Sequence, residues 1–67
     1  MYNEYIDKRI VARCANGLAF AGVCKSILTR ENKDFLVIET DELSGFCVMI
    51  PYNFIELVLS VPITKIN

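Results

Sequence analysis

The chain contains no histidine, so a histidine-based catalytic triad and histidine metal ligands are both excluded. Its three glycines do not form a phosphate-binding loop, because Gly17 and Gly22 lie in a predicted hairpin rather than between a strand and a helix. The carboxylates lie mostly in the N-terminal segment and in loops, without a paired apolar setting suited to acid–base catalysis. We therefore predict that the protein is not an enzyme and has no catalytic residue, cofactor or small-molecule substrate.

The spacing of the three cysteines does not indicate a metal site. The three residues Cys14, Cys24 and Cys47 are odd in number and form no Cys-x-x-Cys pair, so neither a zinc site nor a complete disulfide set is indicated. If the turn at Asn16-Gly17 has two residues, Cys14 faces Ala19 rather than Cys24. We expect no metal, and we expect the three thiols to be reduced, buried and packed as small hydrophobic groups.

The chain also lacks long apolar runs and a strong charge of either sign. No run approaches the roughly 20 residues that span a bilayer, and no cationic start precedes an apolar core, so we predict no membrane partner and a cytoplasmic protein. The formal net charge is −1, with seven basic and eight acidic residues. Such a chain has no global field that attracts nucleic acid, so any nucleic-acid binding must come from a local patch.

Apolar residues, by contrast, are abundant. The 67 residues form one predicted domain, residues 1–67, and 54% of them are hydrophobic. A chain of this length is near the lower limit for independent folding and buries only about 60% of its unfolded surface. Excess apolar surface in so small a domain is commonly covered by another subunit, so the composition predicts an oligomer.

The stretch from Asn16 to Cys24 organises the predicted fold. Asn-Gly between two apolar runs is a strong hairpin signal, and it predicts a two-residue type I′ turn with positive φ at both Asn16 and Gly17. Gly22 then interrupts the returning strand, which predicts a sharp bend there. A hairpin whose second strand bends is the start of a small barrel.

The whole pattern predicts two short helical turns and five strands. Alternation and turn residues divide the chain into a helical turn in 1–7, strands at 8–14, 18–28, 35–40, 46–50 and 55–61, loops at 29–34 and 41–45, a 3₁₀ turn at 51–54, and a stop at Pro62.

Facing directions follow from the period of two in these strands. In the first strand Ile10, Ala12 and Cys14 point one way. In the second, the alternation places Phe20 and Cys24 on one face and Val23, Lys25 and Ile27 on the other. In the fifth it places Ile55, Leu57, Leu59 and Val61 together.

The third and fourth strands are apolar on both faces, which predicts that they are central or covered. The predicted fold class is therefore all-β, a small five-stranded SH3-like barrel with a short N-terminal helical turn. Pairing of the fourth and fifth strands with a neighbour's second and third strands, edge to edge, explains the apolar excess.

These residues resemble the Sm-like family, which includes the bacterial Hfq proteins. The first family motif is similar to residues 10–23, IVARCANGLAFAGV, and to the strand 35–40, FLVIET; the short second motif corresponds to 48–55, VMIPYNFI. The resemblance runs from about residue 5 to residue 61. It implies an Sm-like fold, a homo-oligomeric ring and RNA binding around the pore or on one face of that ring.

Five residues are candidates for contacting RNA. Arg30, Asn32 and Lys33 lie in the polar loop and have groups that contact phosphates and bases, although such residues also occur in solvated surface loops. Tyr52 and Asn53 are suited to stacking on and hydrogen-bonding an unpaired base, and equally to building a 3₁₀ turn. Arg9 and Arg13, on the outer face of the first strand, are typical of solubilising charges.

Two functional hypotheses follow. The first is a ring-forming Sm-like module that binds single-stranded RNA rich in U or A, favoured by Arg30, Lys33 and Tyr52. The alternative is a structural or protein-interaction ring that has lost RNA binding. It is favoured by the acidic pI, near 5.2, and by a second motif that has Pro51, Tyr52 and Asn53 where the family has Arg-Gly or Lys-His.

Overall fold

The computed structural model describes residues 2–43 and 45–61, and these form five strands and two 3₁₀ turns. In chain order they are η1 (Asn3–Tyr5), β1 (Arg9–Cys14), β2 (Ala19–Arg30), β3 (Lys33–Thr40), β4 (Cys47–Pro51), η2 (Tyr52–Phe54) and β5 (Ile55–Ser60). The all-β class is confirmed, and short helical turns occur where they were predicted. The predicted stop at Pro62 lies outside the described residues.

All five strands belong to one antiparallel sheet with the order β4-β3-β2-β1-β5. Strand β3 is interior, as its two apolar faces predicted. Strands β4 and β5 are the two ends of the sheet, and no ladder joins them within residues 2–43 and 45–61. The sheet is therefore open, and closure into a barrel stays a prediction.

The predicted free edges are only partly present within this sheet. Strand β3 lies between β2 and β4 along most of its length, whereas β2 has ladder partners on both sides only around Gly22 and Val23. Strand β4 is not central: it is an edge strand, and Met49 on it is 45% exposed. Pairing of these edges with a neighbouring subunit stays a prediction.

The first hairpin turns differently from the prediction. Gly17 has φ 89°, but Asn16 is not in the positive-φ region, so the turn is not type I′. The Gly17 N–H donates to the Cys14 carbonyl (2.9 Å), and the Cys14 N–H donates to the Leu18 carbonyl (2.7 Å). This is a three-residue loop with glycine in the left-handed position. The Asn16 side chain contributes by accepting the Leu18 N–H at 3.1 Å, and Cys14 faces Leu18 rather than Ala19.

Gly22 is required because the backbone of β3 leaves no space for a side chain at this position. It lies in regular register with Ile10 on one side and Thr40 on the other, so the ladder shows no bulge there. A Cβ atom at this position would lie 2.0 Å from the Glu39 carbonyl oxygen. The irregularity of β2 is two to three residues further on, where Lys25 has no partner between the pairs Cys24–Ile38 and Ser26–Val37.

The unpaired Lys25 reverses the alternation of β2. Beyond it Ile27 is opposite the buried Leu36 and packs against the core. The prediction that Ile27 shares a face with Val23 and Lys25 is therefore wrong, because a β-bulge inserts one residue and shifts the phase of everything after it.

A second bulge does the same in β5. Cys14 is opposite Ile55 and Arg13 is opposite Leu57, which leaves Glu56 without a partner. Consequently Ile55 and Val58 pack against the core, whereas Leu57 (43% exposed) and Leu59 (53% exposed) lie on the outer face. The predicted common face of Ile55, Leu57 and Leu59 is wrong for the same physical reason.

The core lies on one face of the sheet and draws on β1, β2, β3 and β4. Its buried hydrophobic members are Ile10, Ala12, Cys14, Cys24, Leu36, Ile38 and Ile50. Two of the three thiols are therefore buried as predicted, and burial raises the pKa of both. The prediction is wrong for Cys47, which is exposed on edge strand β4.

The predicted loop at 29–34 is almost entirely strand. Strands β2 and β3 continue to Arg30 and Lys33 and are joined by a two-residue turn, Glu31 (φ 51°) and Asn32 (φ 64°). Positive φ at both central residues is the conformation of a type I′ turn, which matches the twist of the flanking strands. The polar residues at 29–34 predicted a loop, and that prediction is wrong. These residues are polar because both faces of the hairpin end are exposed to solvent.

Candidate nucleic-acid interface

The tip of the β2–β3 hairpin and the turn η2 form one shallow groove of about 230 Å³. Its lining consists of Asn32, Lys33, Asp34, Pro51, Tyr52 and Asn53. The two segments meet because the β3–β4 ladder begins at the pair Phe35–Pro51. The residues just before Phe35 and just after Pro51 are therefore neighbours in space. Four of the five candidate residues line this groove.

Arg30 is the candidate that does not line the groove. It is opposite Lys33 in the hairpin ladder, in the pair that directly flanks the turn. Both cations are exposed, and neither forms a salt bridge within residues 2–43 and 45–61. They are therefore available to an anion, with Lys33 at the groove and Arg30 beside it.

Tyr52 is held by packing as well as facing the groove. Its ring meets the Tyr2 ring edge to face, with a centroid separation of 4.7 Å and an interplanar angle of 80°, and it packs against the core. Burial is the main cause that raises the pKa of Tyr52, and a hydrogen bond with the Tyr2 backbone opposes it. The residue thus builds the turn and also presents part of a fixed aromatic ring.

Two exposed amides frame this ring. Asn32 occupies the second turn position of the hairpin, where asparagine tolerates positive φ better than most residues, and Asn53 lies in the middle of η2. Each amide offers one acceptor and two donor hydrogens. Together with Tyr52 they give a planar ring next to groups that can hydrogen-bond the edge of a base.

The charges of the hairpin end cancel. Arg30 and Lys33 are matched by Glu31 and Asp34, and Asp34 also lines the groove. The Asp34 Oδ1 atom accepts a hydrogen bond from the Thr29 hydroxyl at 2.6 Å, which fixes the carboxylate across the strand pair. The groove of one subunit therefore has cations close at hand but no net positive charge.

The two other arginines considered are engaged elsewhere. Arg9 forms a salt bridge with Asp41, and Arg13 forms one with Glu56 (3.1 Å). All four side chains are at least 40% exposed, so these pairs contribute little to stability. Their arrangement agrees with solubilising charges on the outer face of the sheet.

Sequence reasoning missed Asp34, Pro51 and Tyr2 as parts of this region. Asp34 was assigned to a loop together with its neighbours. No local signal shows that Phe35 pairs with Pro51, because strand register depends on contacts distant in sequence. The T-shaped pair of Tyr2 and Tyr52 is likewise a long-range contact.

Other site types find no support in the described part of the chain. Within residues 2–43 and 45–61, no group of three or more histidine, cysteine, aspartate or glutamate residues is placed to hold a metal ion. In the same residues, no helix has the length and apolar character needed to cross a membrane.

Comparison with known proteins gives no assignment. The chain matches no protein-family model, and neither a curated protein nor a solved structure is significantly similar to it.

Proposed function

We propose that the protein is a ring-forming, Sm-like module that binds single-stranded RNA at the groove between the β2–β3 hairpin tip and η2. The observation that carries this proposal is the meeting of Asn32, Lys33, Tyr52 and Asn53 at one groove. These residues come from two segments about twenty positions apart, and each has chemistry suited to an unpaired nucleotide.

Each group has a distinct role in this proposal. The Tyr52 ring stacks on a base, which is worth about 1–3 kcal/mol and tolerates any base. The amides of Asn32 and Asn53 hydrogen-bond the edge of that base. Lys33 and the neighbouring Arg30 contact phosphates, a term that weakens as salt concentration rises.

Assembly follows from the two free edges of the sheet. Strands β4 and β5 present unpaired backbone groups, and exposed apolar side chains lie on both: Met49 on β4, and Leu57 and Leu59 on β5. In the proposed ring β4 of one subunit pairs with β5 of the next, and each open sheet curls into a small barrel. Such a head-to-tail contact closes into a ring when the rotation between subunits permits it.

Ring formation also strengthens a weak site. One subunit provides two available cations near a groove of no net charge, whereas a ring repeats that groove on one side of the assembly. Several grooves contacting one strand act by effective concentration, so modest affinities combine into a useful one.

The charge balance of the hairpin favours a second candidate function. Glu31 and Asp34 offset Arg30 and Lys33, and the chain has a pI near 5.2. A structural or protein-interaction ring needs the same free edges but no cationic groove. Under this alternative the ring forms and RNA does not bind.

Titration of labelled oligo-U and oligo-A at two salt concentrations tests the RNA proposal. Tyr52→Ala is expected to weaken binding about tenfold or more while leaving the salt slope unchanged, and Tyr52→Phe, which keeps the ring, to bind nearly as well as wild type. The double substitution Arg30→Gln and Lys33→Gln is expected to flatten the salt dependence.

Arg9→Gln is the matched charge control, because it removes a cation that is paired with Asp41. Its salt slope is expected to equal that of wild type. If wild type binds neither oligonucleotide at low salt while still forming the oligomer, the RNA proposal fails and the structural ring remains.

A further inference from the structure

A second hollow lies away from the groove, beside the start of β2. Its volume is about 410 Å³, and its apolar lining includes Leu18, Phe20, Leu43 and Val48. Leu18 is 57% exposed and Leu43 is 61% exposed. Large apolar side chains that remain exposed around a concave surface are typical of an interaction site.

One residue of β2, Ala19, has an unpaired backbone along this hollow. The Leu18 carbonyl accepts the Cys14 N–H, so the backbone groups of Leu18 point towards β1 and, by alternation, those of Ala19 point away from it. On that side β3 ends at Thr40, and the last bond runs from the Asp41 N–H to the Ala21 carbonyl (2.9 Å). Within residues 2–43 and 45–61, the Ala19 N–H and carbonyl have no backbone partner.

The rim of the hollow is acidic. Asp41 and Glu42 both contribute to its lining. Asp41 is already paired with Arg9, whereas Glu42 is exposed and forms no salt bridge in the described part of the chain. Glu42 therefore gives the site a preference for a positively charged partner.

From these three features we infer that the start of β2, at Ala19, is a docking edge for an extended peptide segment of another protein that contains alternating apolar residues and a flanking lysine or arginine. The peptide adds one short strand next to Ala19, as in β-strand addition. Its apolar side chains enter the hollow, and its cation lies against Glu42. This site shares no residue with the proposed RNA groove; Val48 is its residue on β4, and none of its lining lies on β5.

A set of three labelled peptides tests the inference by fluorescence anisotropy on the wild-type protein. The probe is a capped Lys-Val-Thr-Val-Lys peptide. The second has the same sequence with N-methylated central amides, which removes strand hydrogen bonds, and the third replaces both lysines with glutamates. We expect measurable binding of the probe, at least tenfold weaker binding of the N-methylated peptide, and the weakest binding of the acidic one.

Protein variants locate the contact. Leu43→Glu, at a side chain that is 61% exposed, is expected to remove binding, and Glu42→Lys to weaken it about fivefold. Glu31→Lys, at the far hairpin, is the matched control and is expected to bind the probe as wild type does.

Four results would overturn the inference. Three are no binding of the probe below millimolar concentration, equal affinity of the N-methylated peptide, and unchanged binding by Leu43→Glu. The fourth is competition by oligo-A at the Leu43 site, which would assign the hollow to RNA instead. Loss of RNA binding at the hairpin groove has no bearing on these outcomes, so the two proposals fail separately.

Discussion

At the scale of single residues, Gly22 shows how a correct sequence signal can have a different cause. A glycine inside a strand marks a bend or a close approach of backbone, and the close approach is shown here, since the Glu39 carbonyl oxygen occupies the space of a Cβ. The neighbouring β3 backbone cannot move aside without breaking the ladder on both sides of it.

Substitution at Gly22 is therefore expected to be severe even for the smallest side chain. Gly22→Ala should lower the free energy of unfolding by about 3 kcal/mol, and Gly22→Val should prevent folding or assembly, because both force β3 away from β2. Urea denaturation measures the first effect. Ala21→Val, at the adjacent exposed outward position, is the control and should change stability by less than about 1 kcal/mol. An unchanged midpoint for Gly22→Ala would show that β3 can shift without cost.

The buried thiols give the fold a dependence on alkaline pH. Burial is the main cause that raises the pKa of Cys14 and of Cys24 above the ordinary value of 9.0. As pH rises past 9, the unfolded chain loses thiol protons that the folded chain keeps, so the free energy of unfolding falls. Below that pH these thiols leave stability unchanged.

Urea midpoints between pH 7 and pH 10.5, measured under reducing conditions, check this dependence. The variant with Cys14→Ala and Cys24→Ala should lose less stability over the same range than wild type, because two of the groups that drive the fall are absent. Parallel curves for the two proteins would contradict the assignment. Cys47→Ser, at the exposed thiol, is the control and should follow wild type.

At the scale of elements, the β2–β3 hairpin places two non-glycine residues in left-handed backbone. Glu31 (φ 51°) occupies a position at which asparagine or glycine is favoured. Glu31→Asn should therefore stabilise the protein by about 0.5 kcal/mol, and Glu31→Val should destabilise it by about 1 kcal/mol, since β-branched side chains disfavour positive φ. Thermal unfolding measures both, and the same sign for both variants would exclude a backbone origin.

The strand positions were readable from the sequence because alternation of apolar and polar residues is local. What alternation could not show is where the phase changes. Lys25 and Glu56 are each a single extra residue, and their effect is defined only against the partner strand. Both are charged and have apolar residues just before them, which is a local sign that they interrupt the pattern.

The candidate site was partly readable for a similar reason. The residue types at Lys33 and Tyr52 suggest nucleotide chemistry on their own, but their proximity depends on the register of β3 against β4. Asp34 was missed because its charge was attributed to a loop, although it belongs to a strand whose end is exposed on both faces.

At the scale of the whole molecule, the unpaired edges of β4 and β5 are the features expected to determine the oligomeric state. Light scattering coupled to size exclusion at micromolar concentration is expected to give a mass several times 7.6 kDa. Leu59→Lys should shift the protein towards monomer, because it places a charge on the outer face of edge strand β5. Ala21→Lys, on the outer face of interior strand β2, is the control and should leave the mass unchanged. A monomeric wild type would remove the proposed ring.

The two bulges also bear on how the length of this chain can vary. Losing one residue from a regular strand exchanges the inner and outer faces of everything beyond it, which a small core does not survive. Lys25 and Glu56 are exceptions, because the pairs on either side of each already fit without them. Deletion of Lys25 should therefore leave Cys24 and Ile27 facing inwards, whereas deletion of the nearby Val23 should not. We expect one-residue deletions within strands to be tolerated at these two positions and not at their neighbours. Comparing the melting temperatures of the two deletion variants tests that expectation.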